Sequence, residues 1–447
     1  MMRSSPVIPK AMDKIVDSLL HPNLSSLVLG LILFFSATQL GFHFWPLSTL
    51  VYGIRIDYLS PTLYFLDILL ILYLSLSIHL PSTIYHLLPL VPILLTNLLY
   101  SHSPLATLSW SLHLILYLLF LATLRSNPRG SQKITIKPRG LQVALTLSLL
   151  FQTILASLQV YLGHSLGGFL YYLGERSVAV GSPNIALGSF MGHVVLLRAY
   201  GTFGHPNVLA GYAVITLLII LFLSPARSVL KRKTWLQAKL GSAAAERTDL
   251  NGTLRLLLPL TLTTLLILLA QSRSALISLF GIIIPFYLLN NFKSRIIYFV
   301  IILSTIYALP STIYPIRSDL SLSQRLNLQG VSLQVISHYP IFGTGAQASI
   351  STYPALPQPK PRGVGGLQPD HNSLTLILSW FGLFGALALL YALRILHLPS
   401  TIYHLLPLAP LLLLDHYLFT SPQGLFILLL YLRVTINHEP STKNHCQ

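Results

Sequence analysis

The chain has 447 residues, of which 53% are hydrophobic and only 9% charged, with a mean hydropathy of +0.70. Soluble domains carry roughly 25% charged residues, so this composition excludes an ordinary water-soluble protein and predicts one integral membrane domain over residues 1–447. The net charge of +17 sits in short basic runs between apolar segments, a pattern of topology signals rather than of a nucleic-acid-binding face.

The basic, polar start Met1–His21 leads into an apolar run at 24–45. That run is too long, and lacks the small-residue exit, for a cleaved leader, so it is expected to be retained as the first span. Further spans are expected at 61–79, 82–99, 104–124, 140–162, 207–224, 253–270, 275–291, 296–310, 373–393, 400–418 and 421–436. The expected fold is therefore all-α and polytopic, with about twelve transmembrane helices. With a cytoplasmic amino terminus, most Lys and Arg fall on the inner side, and the outer side keeps only Arg55, Arg176, Arg198, Arg273, Arg317, Arg325, Lys360 and Arg362. This orientation places 163–206 outside, together with 311–372, a large extracytoplasmic loop between spans 9 and 10. In the large loop, Leu326, Leu333, Val335 and Ile336 interleave with polar residues and predict a helix along the surface. Tyr353–Pro361 is proline-rich and predicts an extended run. The string HLPSTIYHLLPL occurs at His79–Leu90 and again at His397–Leu408, with a fragment at Leu309–Tyr314; the unequal spacing excludes a solenoid. The single cysteine, Cys446, cannot form an intrachain disulfide.

Chemistry-bearing residues gather at one rim of this topology. Arg198 precedes two glycines and His205-Pro206-Asn207, where Pro206 suits the first turn of a helix. A helix amino terminus there would offer free N–H groups to an anion; the alternative is a plain loop-to-helix entry, with His205 a structural turn residue. Gln271-Ser272-Arg273-Ser274 interrupts two apolar runs. Arg273 is either a snorkelling arginine at a tight turn or an anion contact, since a guanidinium fork matches phosphate oxygens in two places. His371 closes the large loop between Asp370 and Asn372, directly before an apolar run containing Gly382 and Gly385. His371 and Gly382 lie about three helical turns apart and are expected to share a face, and the glycines predict close helix packing. The histidine is either a satisfied interfacial residue or a group that handles a proton. Asp67 and Asp415 also interrupt apolar runs; His416 and Arg273 are the expected partners, for function or as structural ion pairs. The sequence holds no nucleotide cradle, metal-ligand cluster or Gly-x-Ser-x-Gly elbow.

Together these residues resemble the O-antigen ligase and polymerase superfamily of bacterial envelope glycan enzymes. RAYGTFGHPNVLAGY (Arg198–Tyr212) looks like the family's entry to its central helices. QSRSALISL (Gln271–Leu279) is similar to its second arginine segment. YPIFGTG (Tyr339–Gly345) followed by DHNSLTLILSWFGLFG (Asp370–Gly385) resembles its large-loop exit, including the pattern of His, a small polar residue, nine residues, then Gly-x-x-Gly. The likeness covers residues 190–390 or thereabouts. It departs at Ala386-Leu387, where the ligase pattern usually continues with small hydroxyl residues, so ligase and polymerase both stay open.

The resemblance implies a multi-pass protein of the cytoplasmic (inner) membrane with its site facing the periplasm or exterior. It implies a metal-independent glycosyltransferase, without cofactor, that moves a glycan with inversion from an undecaprenyl-pyrophosphate carrier to an acceptor hydroxyl. On that pattern Arg198 and Arg273 hold the pyrophosphate, Arg325 is a third contact, and His371 accepts the acceptor's proton; Asp370, Asn372 or Asp415 orient the imidazole. The implied partners are a lipid-linked glycan donor, a glycan, lipid or protein acceptor, and membrane lipids, with no nucleic acid. The competing expectation is a glycolipid transporter or flippase without covalent chemistry. That would need charged or broken positions deep in several spans.

Overall fold

The computed structural model describes residues 24–76, 85, 87–124, 138–182, 185–190, 194–224, 242–283, 319–357, 363–395 and 405–437. The basic runs at 1–23 and 225–241, the span expected at 296–310, the segment 311–318, and most of both HLPSTIYHLLPL strings lie outside these residues.

In chain order the helices are α1 (Leu24–Phe35), α2 (Phe65–Leu76), α3 (Leu90–Leu99), α4 (Pro104–Thr123), α5 (Pro138–Leu162) and the single turn α6 (Phe169–Tyr172). They continue with α7 (Pro206–Leu223), α8 (Ser242–Ala270) and α9 (Arg273–Leu276), which runs on into a π-helical stretch at Ile277–Ile283. Then follow α10 (Asp319–His338), α11 (Gly363–Gly366), α12 (Ser373–Ile395), α13 (Ala409–Leu414), α14 (Tyr417–Thr420) and α15 (Pro422–Asn437). Among the described residues, four segments are long and apolar enough to cross a membrane: Pro104–Thr123, Arg139–Leu162, Pro206–Leu223 and Ser373–Tyr391. Shorter apolar helices accompany them at Leu24–Phe35, Phe65–Leu76, Leu90–Leu99, Leu256–Ala270 and Pro422–Thr435. This is a predominantly helical, multi-pass membrane protein.

Several expectations change. The run at 24–45 is not one helix: α1 ends at Phe35, and Gly41–His43 forms strand β1. The Phe-His-Phe-Trp-Pro sequence there favours extended backbone, and Pro46 cannot continue a helix. The all-α expectation also missed three small antiparallel pairs. Strand β1 pairs with β4 (Thr62–Tyr64), β2 (Leu50–Val51) with β3 (Ile54–Arg55), and β5 (Leu187–Phe190) with β6 (Val194–Leu197). All three lie in connecting segments, where alternation over two to four residues is too short to register as a strand signal.

Helix α7 is the axis of the bundle. It is apolar round its whole circumference, and residues from Pro206 to Phe222 are buried on every face, as expected for a helix surrounded by others. Helices α8, α15 and α5 pack against it. Lipid tails are as apolar as leucine, so this packing draws on close contact and buried hydrogen bonds rather than on expulsion of water. The Tyr212 hydroxyl lies 2.9 Å from Ser36 Oγ and 3.0 Å from Ser148 Oγ, joining α1, α5 and α7. Helix α5 also carries Gln152 and Gln159 on one face. Gln152 Nε2 donates to Thr202 Oγ1 at 2.8 Å and its Oε1 accepts from Thr202 N. Gln159 grips both backbone groups of Gly201. These two glutamines fix the segment between Arg198 and His205.

Helix α12 is broken. Gly382 has φ 61° and ψ −172°, outside the helical region, so the register from His371 to Gly382 is interrupted and the expected shared face does not run through. A break in apolar surroundings orphans carbonyls before it and N–H groups after it, and each unsatisfied group is costly. The segment Tyr339–Gly345 satisfies them. Leu383 N and Phe384 N donate to Pro340 O and Ile341 O at 2.8 and 3.0 Å, while Thr344 N and Gly345 N donate to Ser379 O and Trp380 O at 3.0 Å each. Asn97 of α3 completes the joint, with Nδ2 donating to Trp380 O and Oδ1 accepting from Ala346 N, both at 2.8 Å. Such backbone contact requires glycine on both sides. A Cβ at Gly343, itself at φ 70°, would come within 2.6 Å of Gly382 N, and one at Gly382 would come equally close to Gly343 N.

The helix expected in the large loop is α10. Its buried side presents Leu328, Val331 and Val335, the last two packed with Val51, Ile56, Ile350 and Tyr353, whereas Leu326 and Leu333 are exposed.

Candidate active site

Four chain breaks converge at one end of the bundle: the entry to α7, the α8–α9 turn, the entry to α12 and the gap between α13 and α14. Asp415 stands in that gap and ties them together. Its carboxylate accepts from Ser274 Oγ of α9 at 2.9 Å and from Asn207 Nδ2 of α7 at 3.4 Å, and lies 3.7 Å from Arg325 Nη2 of α10. Its backbone carbonyl accepts from Ser373 Oγ of α12 at 3.4 Å. The partner expected for Asp415 was His416 or Arg273; the geometry supplies Arg325 instead.

Arg198 is held by its guanidinium. Nε donates to Ala270 O at 2.8 Å, and Nη2 donates to Asn207 Oδ1 at 2.8 Å and to Gln271 O at 3.3 Å. Arg198 thus clamps the Gln271 turn, whose φ of 49° is left-handed, against the start of α7. Burial lowers its pKa to about 10; Tyr200 and Asp415 oppose that shift, and Arg325 and Arg273 add to it. Both other arginines are therefore close enough for their fields to reach it. Arg273 opens α9 and is exposed, while Arg325 is partly exposed. The three arginines predicted from sequence do converge, with Asp415 the carboxylate among them.

His371 is brought to the same place. Its ring packs edge-to-face on His416, with centroids 4.8 Å apart. His371 Nδ1 is buried and has no hydrogen-bond partner among the described residues. Burial, then the fields of His416, Arg325 and His205, push its pKa down to about 2, so the imidazole is neutral. His205 caps α7: its side chain accepts from Asn207 N at 3.2 Å. Although part of its surface is exposed, desolvation by the protein packed around it, followed by the fields of Arg198, Arg325 and His416, pushes its pKa down to about 3.

Asp370 and Asn372 act within the turn that enters α12. Asp370 Oδ1 accepts from Asn372 N at 3.1 Å, and Oδ2 accepts from the Thr375 hydroxyl. Asn372 Oδ1 accepts from Leu374 N at 2.9 Å, capping α12. Their polar oxygens are engaged in the turn that carries His371, rather than with its ring. Asp67 is elsewhere, beside strand β4: it accepts from Tyr64 N at 2.8 Å and pairs with His113 Nε2 at 3.0 Å, not with His416 or Arg273.

Sequence reasoning underrated His416 and missed Tyr58. His416 Nδ1 lies 2.7 Å from Thr420 Oγ1, and Tyr58 packs edge-on against its ring at 5.6 Å. The i, i+4 spacing of His416 and Thr420 was a legible signal; nothing in the spacing marks Tyr58.

The fold and site define a membrane-embedded helical protein with a cluster of arginines and a neutral imidazole at one end of its bundle. Residues 258–390 match the family described as O-antigen ligase. The match covers the Arg273 segment, Arg325, His371 and the Gly382 joint, and supports the O-antigen ligase and polymerase superfamily read from the motifs. It points to a glycan-transferring membrane enzyme acting on lipid-linked glycans. No curated protein shows significant similarity to the chain.

Proposed function

We propose that the protein transfers a glycan from an undecaprenyl-pyrophosphate carrier to an acceptor hydroxyl at the extracytoplasmic face of the cytoplasmic membrane. The observation that carries this reading is the placement of His371, whose buried ring nitrogen has no partner among the described residues, within the field of Arg325 and beside the Arg198 and Arg273 cluster. In the reaction the acceptor oxygen attacks the anomeric carbon and the carbon–oxygen bond to pyrophosphate breaks. The bond pair leaves with the pyrophosphate, and the acceptor's proton passes to His371.

The arginines have the charge for that leaving group. Arg273 and Arg325 meet its oxygens, and Arg198, largely committed to the turn, adds field and positions the neighbouring elements. Preorganised cations at developing charge are worth several kcal/mol of barrier, about 3–4 for a single well-placed donor. An imidazole held near pKa 2 is neutral but weakly basic. A bound pyrophosphate reverses this, since negative charge nearby favours the protonated form. The donor thus makes His371 a better base as it arrives. Asp370 and Asn372 orient the histidine through the backbone, and Asp415 holds Arg325 and the helix ends.

The test supplies purified protein in lipid bilayers with an undecaprenyl-pyrophosphate glycan and candidate hydroxyl acceptors. His371→Ala is expected to lower transfer by about 10²–10⁴-fold, the range for loss of a general base, with thermal unfolding unchanged or higher. Full transfer by His371→Ala would remove its assigned role. Movement of the glycolipid between leaflets without product would favour transport instead.

A further inference from the structure

The ribbon between α1 and α2 has a surface that the catalytic reading does not use. Phe42 pairs with Leu63, and His43 with Thr62, across β1 and β4. Side chains on a strand alternate between faces. On one face His43 Nδ1 and Thr62 Oγ1 lie 2.9 Å apart. On the other, Phe42 is 66% and Leu63 44% exposed. Phe44 extends that apolar face, its ring 5.0 Å from Phe42, and Leu47 beyond it is 85% exposed.

The base of the ribbon adjoins further exposed apolar side chains. Thr38, at the base of the ribbon, donates to Leu173 O just after α6, and α6 itself exposes Phe169 and Tyr172. The ribbon joins the ends of α1 and α2, which expose Leu31 and Ile68 along their flanks. Arg55 places its guanidinium over the Trp45 ring, 5.5 Å from the centroid. Aromatic rings backed by a cation, at the end of lipid-facing helices, match the level where acyl chains meet phosphates.

We propose that the residue 41–64 ribbon is an interfacial foot, with the Phe42–Leu63 face seated in the outer acyl region of the leaflet and Arg55 among the lipid phosphates. The occupant is phospholipid rather than a second copy of the chain. The ribbon joins helices α1 and α2, whose flanks expose apolar side chains, and its cation complements lipid phosphate. The same segment supplies Tyr58, which packs against His416, so the foot also sets a wall of the site at a fixed depth.

Collisional accessibility of a nitroxide tests this. The probe is attached singly to Phe42→Cys, Leu47→Cys and Asp57→Cys in a Cys446→Ser background, in vesicles of phosphatidylethanolamine and phosphatidylglycerol. Labels at 42 and 47 are expected to meet oxygen several-fold more readily, relative to a water-soluble nickel chelate, than the label at exposed Asp57. Equal nickel accessibility at all three sites would overturn the proposal. So would spin–spin broadening at 42 or 47 that disappears on dilution with unlabelled protein, which would name a second copy as the occupant. Where a labelled variant fails to fold, quenching by lipids brominated near the headgroup replaces it. The Trp45 signal, taken as the difference between the unaltered protein and Trp45→Phe, must be quenched; an unquenched difference rejects the foot.

Discussion

Arg198 and Arg273 carry the same charge in different employment. The Arg198 fork makes three hydrogen bonds to oxygens on two elements, and a lysine ammonium cannot reproduce that geometry. Arg198→Lys is therefore expected to destabilise the fold by about 2–4 kcal/mol, at 1.5–3 kcal/mol for each hydrogen bond to a charged group and with partial replacement by lysine. Arg273 is exposed at the start of α9, where substitutions usually stay within about 0.5 kcal/mol. Arg273→Ala should leave thermal unfolding in place while raising the KM for the lipid-linked donor. Measuring unfolding and donor kinetics on both variants separates the roles; equal loss of stability would refute the division.

The joint between Tyr339–Gly345 and the broken helix α12 is a property of elements. Each supplies backbone groups that the other lacks, and two glycines allow the approach. Gly382→Ala needs a left-handed backbone and puts a methyl group against the facing segment, so a loss of at least 2–3 kcal/mol or so is expected from strain alone. Gly330, inside α10, has nothing within 4 Å of its would-be Cβ. Gly330→Ala should stabilise the protein by about 0.5–1 kcal/mol. Opposite signs in thermal unfolding support the joint; two losses of similar size would not. The sequence announced both halves of this joint as motifs but read Gly382 as helix-packing surface, because a break cannot be distinguished from a continuous helix until its orphaned backbone finds a partner.

For the whole molecule, the histidines crowded around the arginine cluster link stability to pH. His371 and His205 are pushed down to about 2 and about 3 when folded, against about 6.5 in an unfolded chain. Below 6.5 the unfolded state binds more protons, so the stability these groups contribute is fully present at neutral pH and falls as pH drops toward the folded values. The expected slope approaches 1.4 kcal/mol per pH unit for each histidine, to order of magnitude. Unfolding in bilayers or detergent should become easier between neutral pH and about pH 5, and a His205→Asn, His371→Asn double variant should flatten that dependence. An unaltered slope in the double variant would show that other groups govern acid sensitivity.

The membrane character, the helices at 104–124, 140–162 and 207–224, and the convergence of Arg198, Arg273, Arg325 and His371 were legible in the chain. Apolar length and punctuating charge are local properties, and a bilayer gathers loop ends at its faces whatever the helix order. Tertiary structure alone decided which side chains meet there. Asp415 took Arg325 rather than Arg273, Asp67 took His113, and Asp370 turned to the backbone. It also decided that 24–45 ends in a ribbon and that α12 breaks at Gly382. The reason is common to all of these. A buried charge or an orphaned backbone group must find a partner, and which partner lies within 3–4 Å or so depends on packing between segments that sequence distance does not encode.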